Sequence, residues 1–359
     1  GNNSIASFPF QEIFEDEPYV IFTQVFSILG AVMSVLGALG SLVAVRTFVS
    51  MGLKDGITVV FMFLAVCDFC YLNVIAVNSA SLWFYATEKK HKYKMWYSVD
   101  PYGIYIFSAN MGIMLYLLTV LNTTFLAVVR CLCVAMPIRF KHILNRRRTA
   151  VIIFLFCAVT VLSYLPILIH MRMVSACDAK INRTRSVLWT SSKRDEVKQA
   201  VWLSRDVVVT VATQVVILVC VAIMIRCLRA SSRFRRNRLS GRQQASTLET
   251  SSTPPQSSTD AIGGNSDDTL PRNQSADSGK LAAKDVNVVR QVVLISVVYI
   301  VCNTPKLCVD ITTMIVPEFT LGRSLQNLYL SIICAMELFQ AFNSSINMLI
   351  YYNYNSKFK

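Results

Sequence analysis

The stretch FLAVVRCLCVAMPIRF, residues 125–140, places a single arginine at the end of a long uncharged segment. From Tyr102 to Val129 the chain holds no Asp, Glu, Lys or Arg, and Arg130 is followed by Pro137 and further basic residues. A helix on the surface of a soluble protein would instead carry charges along one face. The stretch therefore predicts a helix that crosses a bilayer and ends at its surface beside Arg130.

Other parts of the chain are also rich in apolar residues and poor in charged ones. Of the 359 residues, 54% are hydrophobic and 16% are charged, where a soluble domain carries about 25% charged residues. Crossing about 30 Å of hydrocarbon requires roughly 20 apolar residues. Seven stretches are long enough, and we predict an all-α membrane protein, a seven-transmembrane helix bundle, with spans at about 19–45, 57–85, 101–136, 150–169, 207–225, 291–316 and 328–352.

The distribution of charge predicts the orientation of the bundle. With the N-terminus outside, the inner segments carry 21 Lys/Arg against 7 Asp/Glu, and the outer segments carry 13 against 11. Membrane proteins concentrate basic residues in their cytoplasmic segments. Glycosylation sequons at Asn2 and Asn182 then lie outside, as they must to be modified. Topology accounts for the basic excess, so we expect a lipid bilayer and no nucleic acid as partner.

The chain divides into five predicted segments. The long segment 229–284 is rich in Ser, Thr, Gly and Pro with almost no aromatic residues, a composition typical of disorder. It is either a spacer or a phosphorylation-controlled segment whose basic half binds the inner leaflet. The predicted segments are the extracellular N-terminus 1–18, helices one to five 19–228, the disordered third cytoplasmic loop 229–284, helices six and seven 285–352, and a tail 353–359 that begins a short cytoplasmic helix.

Signatures of catalysis and of metal chemistry are missing from the sequence. His91, His142 and His170 stand in no metal-binding spacing, and neither a Gly-rich phosphate loop nor a G-x-S-x-G motif occurs. Cys67-x-x-Cys70 lies within a predicted span and lacks the second ligand pair of a zinc site. We therefore expect neither an enzyme nor a cofactor.

Charged side chains inside the predicted spans are few. Burying a charge in lipid is costly, so each such residue is a functional candidate. A transporter or channel that uses them as a pathway is the alternative function. The set consists of Asp68, Lys306, Asp310 and Glu337, with Arg130 and Asp285 at the inner border.

Four motifs, in this order, resemble those of rhodopsin-like (class A) G-protein-coupled receptors. LAVCD (64–68) is similar to Leu-Ala-x-x-Asp of helix two, and VVRCLCVAMP (128–137) to the Asp-Arg-Tyr region of helix three. CNTP (302–305) is similar to Cys-Trp-x-Pro of helix six, and NSSINMLIYYNYNSKFK (343–359) to Asn-Ser-x-x-Asn-Pro-x-x-Tyr with the short helix after it. The stretches GLKDGITVVFMFLAVCD and RCLCVAMPIRFKHI look most like invertebrate, in particular molluscan, chemosensory or neuropeptide receptors.

The resemblance implies a multi-pass receptor of the cell membrane. Such a receptor binds an extracellular small molecule or peptide and activates a heterotrimeric G protein, with arrestin and a receptor kinase as further partners. Family spacing and the intramembrane charges together predict the ligand-binding residues Gly112, Tyr116, Arg205, Lys306, Asp310, Glu337 and Gln340. The residues implied in switching and G-protein coupling are Arg130, Ile138, Asp285, Asn303, Pro305, Asn347 and Tyr351.

Departures from the family pattern affect two of these roles. Val129 stands where the family has the acid that restrains the arginine. Asp285 lies twenty residues before Pro305, which is roughly 30 Å at 1.5 Å per residue and at the same border as Arg130. We predict that Asp285 holds Arg130, the alternative being an arginine that snorkels to lipid phosphates. Asn303 stands where the family has its tryptophan switch.

Two more intramembrane groups keep alternative interpretations. The resemblance implies a sodium site at Asp68 with Thr119, Asn343 and Asn347, whereas a protonated Asp68 could equally bind the two asparagine side chains. Lys306 and Glu337 are either a structural ion pair or two contacts of a charged ligand.

A covalent link common in the family is also missing from the sequence. No cysteine begins helix three, so Cys177 lacks the partner that the family provides. We therefore expect the second outer loop to carry no disulfide to helix three.

Overall fold

Helices make up most of the described chain, and one hairpin joins two of them. The computed structural model describes residues 16–53, 55–91, 97–135, 145–178, 183–191, 197, 201, 203–227, 229, 272–320 and 323–354. Seven helices lie within these ranges, which confirms the predicted bundle. They are α1 (Asp16–Met51), α2 (Gly56–Lys90), α3 (Pro101–Ala135), α4 (Arg146–Ile169), α5 (Ser204–Cys227), α6 (Arg272–Ile315) and α7 (Gln326–Tyr354).

The distribution of side chains is the one that a bilayer requires. Large apolar side chains point outward, such as Phe154 at 70% exposure, while polar ones such as Asn122 lie fully inside. Helices α1 to α6 are long and apolar enough to cross a membrane. Helix α7 is the exception among the described helices, because it carries inward-facing polar residues that include Gln340 and Asn347.

Close packing of α1 depends on small residues. Helix α1 packs against α2 and α7. A Cβ atom at Gly37 would lie 2.0 Å from Ser345 Oγ and 3.0 Å from Leu72 Cδ1, so any larger residue would force the helices apart. At the end of the helix, Gly52 adopts a φ of +77°, a left-handed conformation that stops α1 after Met51.

The other helices form a ring around α3. Helix α3 contacts α2, α4 and α6, and α6 contacts α7 and the start of α5. The first turns of α5, Leu203–Val209, are π-helical. Two clusters of buried side chains fill the interior, a larger one that includes Leu64, Leu126 and Tyr299, and an outer one that includes Tyr19 and Tyr105.

The connection between α4 and α5 contains an element that was not predicted. Strands β1 (Met171–Asp178) and β2 (Arg183–Thr190) form an antiparallel hairpin whose register runs from Met171 opposite Thr190 to Asp178 opposite Arg183. At the mouth of the bundle, the backbone N–H and C=O groups of these two strands form hydrogen bonds with each other and not with a helix.

The observed start of α6 differs from the predicted boundary at 285. Helix α6 begins at Arg272 and so includes residues 272–284, which composition assigned to the disordered loop. This part contains the stretch SADSGKLAAK (275–284), and Ala, Leu and Lys are strong helix formers. The predicted N-terminus (1–15), most of the third cytoplasmic loop (230–271) and the end of the tail (355–359) lie outside the described residues.

Candidate functional site

Asp68 is the centre of a polar cluster in the middle of the bundle. The side chain is 1% exposed on α2. Asn347 Nδ2 of α7 donates to Asp68 Oδ2 at 2.8 Å, and Thr119 Oγ1 of α3 donates to Oδ1 at 3.4 Å. Asn343 is also buried on α7, but no hydrogen bond joins it to Asp68 within the described residues. The structure therefore brings three of the four predicted residues together.

The donor set of this cluster fits a small hard cation. Asp68 supplies a carboxylate and Thr119 a hydroxyl oxygen, and hard cations prefer oxygen ligands. Asn347 Oδ1 is buried and has no hydrogen-bond partner in the described part of the chain, so it is a further oxygen that a cation would satisfy. Asp68, Thr119 and Asn347 are thus the residues that would hold Na⁺ at this site.

A hydrogen bond between Tyr116 and Asn303 connects α3 to α6. Asn303 is fully buried, and its Nδ2 donates to Tyr299 O at 2.9 Å within α6. Its Oδ1 accepts from Tyr116 Oη at 3.0 Å. Pro305 lies two residues further along α6 and removes one backbone hydrogen bond there. The contact therefore restrains α6 at the point where the helix can bend.

The same chain of contacts reaches α2 and α7. The rings of Tyr116 and Tyr71 lie 5.1 Å apart, and Tyr71 Oη donates to Gln340 Oε1 at 3.2 Å. A Cβ atom at Gly112 would lie in ordinary contact with Tyr71 and its neighbours on α2. The structure thus uses three predicted ligand residues, Gly112, Tyr116 and Gln340, to pack α2, α3 and α7 together.

Lys306 forms its ion pair within its own helix. Lys306 Nζ lies 2.7 Å from Asp310 Oδ2, one turn along α6. No ion pair joins Lys306 to Glu337 among the described residues, so the alternative of a structural pair finds no support there. Residues four apart lie on one face of a helix, so this partner is available whatever the orientation of α7.

Glu337 of α7 is held by neutral groups. Asn78 Nδ2 of α2 donates to Glu337 Oε2 at 2.8 Å, and Asn78 Oδ1 accepts from Ser108 Oγ of α3 at 2.9 Å. Glu337 also lines a small cleft between α1, α2 and α7, together with Ser27, Ser79 and apolar side chains.

Arg205 lies in the π-helical start of α5. Its Nε and Nη2 donate to Asp206 Oδ1 and Oδ2 at 2.9 and 2.7 Å, which is a two-pronged ion pair between neighbouring residues. The guanidinium lies 3.5 Å from the centre of the Tyr164 ring on α4. π-Helical turns are frequent at functional sites, and this one directs two adjacent charged side chains into the bundle.

An ionic contact that was not predicted lies at the outer end of the bundle. Arg185 of β2 is 5% exposed and pairs with Asp100 before α3 and with Glu88 of α2, the latter at 3.5 Å. The sequence carries no motif for Arg185, since its partners are 97 and 85 residues away.

The inner end of the bundle contains the predicted coupling residues. Tyr351 is buried and meets the rings of Phe48 and Phe61 edge-on at 5.3 and 5.5 Å. Arg130 is partly buried near the end of α3. The side chain of Asp285 lies outside the described residues, as do Ile138, Asn2 and Asn182, so the Arg130 latch and the glycosylation sites stay predictions.

The buried polar side chains described above thus lie on the same helices as the sequence motifs and at the same depths in the bundle. A family model described as 7 transmembrane receptor (rhodopsin family) matches residues 41–351. The chain belongs to the rhodopsin family of seven-transmembrane receptors. No curated protein matches this receptor.

Membership in this family confirms several predictions about the receptor. It is a multi-pass protein of the cell membrane and a receptor, not an enzyme. An extracellular ligand and a G protein are the partners that the family implies. The intramembrane charges accordingly belong to a signalling bundle, and a transport pathway is not favoured.

Proposed function

We propose that the receptor binds an extracellular ligand through a primary ammonium group at Glu337 and activates a heterotrimeric G protein by moving α6. Either a small chemosensory cue or the free amino terminus of a peptide supplies such a group. The observation that carries the proposal is that Glu337 contacts a neutral amide, while Arg205 and Lys306 pair with Asp206 and Asp310.

The balance of charge around the outer pocket supports a cationic ligand. Arg205 pairs with Asp206, and Lys306 pairs with Asp310. Glu337 has no cationic partner among the described residues. A buried carboxylate is stabilised by a counter-ion or by a proton. An ammonium group supplies the counter-ion when the ligand binds.

The hydroxyl oxygens that line the cleft favour a ligand group with several hydrogen-bond donors. An ammonium group has three donors to place. Glu337 accepts one, and Ser27 Oγ is a buried oxygen without a hydrogen-bond partner in the described residues. Ser79 offers a second hydroxyl across the cleft.

Transmission of the signal would run along α6. Lys306 and Asp310 lie just outside Pro305, and Asn303 lies just inside it. A ligand that changes the position of the outer part of α6 relative to α7 also changes the geometry of the hydrogen bond between Asn303 and Tyr116. The inner part of α6 then swings about the proline and opens a surface for the G protein.

The proposal is tested by screening and substitution. Wild-type receptor in membranes is screened with primary amines, amino acids and peptides, with nucleotide exchange on added G protein as the readout. Glu337→Gln should lower the potency of the agonists at least about 30-fold, because truncating one partner of a buried charge pair costs about 2 kcal/mol or more. Glu318→Gln, the same change in the connection between α6 and α7, should leave potency unchanged.

Two outcomes would contradict the proposal. Agonists without any cationic group, or equal potency on Glu337→Gln and wild type, would show that a proton and not the ligand neutralises this carboxylate. An absence of exchange with every ligand, alongside ligand-dependent flux in proteoliposomes, would instead identify a transporter.

We also propose that the segment 229–284 serves regulation. Its serines and threonines are substrates for a receptor kinase, and phosphate groups there would create acidic sites for arrestin. Loss of ligand-induced arrestin recruitment after replacement of these hydroxyl residues by alanine would support this role, and unchanged recruitment would contradict it.

A further inference from the structure

The hairpin β1–β2 lies at the outer end of the bundle without a covalent anchor. Cys177 is on β1, exposed and free. The sequence from 92 to 112 contains no cysteine that could bind it near the start of α3. Without such an anchor, noncovalent contacts must offset the conformational entropy that is lost when the backbone of the loop is ordered. The described contacts nevertheless hold this hairpin in one place.

The contacts concentrate on one short part of β2. Arg185 is buried and joins Asp100 and Glu88, which belong to the segment before α3 and to α2. Next to it, Ser186 N donates to Ser98 O at 3.0 Å, and Asp100 N donates to Ser186 O at 2.9 Å. Val99 and Ser186 are paired as a β-bridge. The ion pairs and the backbone hydrogen bonds of the hairpin are therefore concentrated at two adjacent residues, Arg185 and Ser186.

Close approach of the hairpin to α3 depends on a glycine. A Cβ atom at Gly103 would lie 3.2 Å from Leu188 Cβ and 3.3 Å from Leu188 N. The first turn of α3 thus leaves room for the backbone of β2. This contact places the strand directly over the helix that carries Gly112 and Tyr116 deeper in the bundle.

We infer that Arg185 is a positioning residue that fixes the hairpin over the mouth of the bundle by an ionic clasp, in place of a disulfide. The planar guanidinium presents its N–H groups in a rigid fork to two carboxylates, one on α2 and one just before α3, and a lysine has no such fork. Burial limits screening of the pair by salt. Unlike a disulfide, the clasp opens and closes without a redox reaction, so the hairpin can admit and retain a ligand reversibly.

The position of the hairpin can be measured without any ligand. Val99→Cys with Ser186→Cys places two thiols on bridged residues, whose separation suits a disulfide. The rate of oxidant-driven cross-linking, followed on purified receptor by mass spectrometry of the linked peptides, reports how often the hairpin is closed. Because removal of one partner of a buried ion pair shifts such an equilibrium strongly, Arg185→Gln should slow cross-linking at least about tenfold.

Matched variants separate positioning from a general loss of charge. Arg172→Gln removes the same charge from an exposed residue of β1 that lies 4.4 Å above the Trp189 ring, and should leave the rate unchanged. Arg185→Lys should give an intermediate rate, since it keeps one of the two ion pairs. Equal rates for Arg185→Gln and the parent would overturn the inference, as would an equal loss in Arg172→Gln.

Failure of Arg185→Gln to reach the cell surface would also be informative. The cross-linked Val99→Cys/Ser186→Cys receptor replaces the clasp by a covalent tie, so it should restore surface expression of Arg185→Gln. Absence of rescue would show that Arg185 acts on folding by another route and would refute the clasp. Neither measurement involves Glu337, so the result stands apart from the identity of the ligand.

Discussion

The bond between Tyr116 and Asn303 makes a quantitative prediction about signalling. Tyr116→Phe removes only the hydroxyl that donates to Asn303 Oδ1 at 3.0 Å and keeps the ring that packs 5.1 Å from Tyr71. Tyr116 is 4% exposed and Asn303 is fully buried, so the acceptor oxygen loses its partner away from water. Such an unpaired buried acceptor costs about 1–3 kcal/mol.

The substitution raises mainly the free energy of the state in which the bond between Tyr116 and Asn303 exists. When α6 swings about Pro305, Asn303 leaves Tyr116, and the substitution then costs little. The difference of about 1–3 kcal/mol shifts the equilibrium toward the open state by roughly 5- to 150-fold. We expect ligand-independent nucleotide exchange on the G protein to rise by a factor in this range, up to the limit set by full activation.

Two further variants make the measurement specific. Tyr71→Phe removes a comparable hydroxyl, which donates to Gln340 between α2 and α7, and should leave ligand-independent exchange unchanged because neither helix bends at Pro305. In the double variant Tyr116→Phe/Asn303→Leu, ligand-independent exchange should be little higher than in either single variant, since both substitutions remove the same hydrogen bond. Unchanged exchange in Tyr116→Phe at equal surface expression would refute this reasoning, as would an equal rise in Tyr71→Phe.

Three other expectations can be tested with single variants. Asp285→Asn should raise ligand-independent signalling if Asp285 restrains Arg130, and a level equal to wild type at equal expression would exclude the latch. Sodium chloride should weaken agonist binding in wild type more than in Asp68→Ala. If Na⁺ weakens binding beyond the effect of K⁺ by the same amount in both receptors, the cation site is excluded. Cys177→Ser should reach the cell surface as wild type does, because the thiol is exposed and free; a severe trafficking defect would reveal a partner.

Much of the fold follows from local sequence alone. The uncharged run before Arg130 predicts α3, which the structure describes as Pro101–Ala135. Hydropathy also predicts the other six helices, because bilayer thickness sets the length of each apolar stretch. Boundaries were less accurate at α6, where helix formers extend the helix to Arg272 beyond the apolar span.

Part of the polar core was also predictable, and part was not. Asp68 and Asn347 belong to motifs that the resemblance connects, and they form a hydrogen bond. Glu337 was expected to face Lys306, yet it contacts Asn78. Asn78 is one of two asparagines in an apolar helix, and nothing in its local sequence distinguishes it from Asn73, which bonds to Phe69 O of the same helix.

The sequence by itself determined which segments cross the membrane, their order, and the depth of each polar residue, because hydropathy and the rise of 1.5 Å per residue are properties of one helix at a time. Only the tertiary structure decided which side chains meet. Lys306 pairs along its own helix, Glu337 pairs across to α2, and Arg185 closes the hairpin over α3. The contact of Glu337 with Asn78 depends on the rotation of α2 and α7 about their axes, which is set by packing against all their neighbours at once. The contacts of Arg185 depend on where the hairpin lies against α2 and the start of α3.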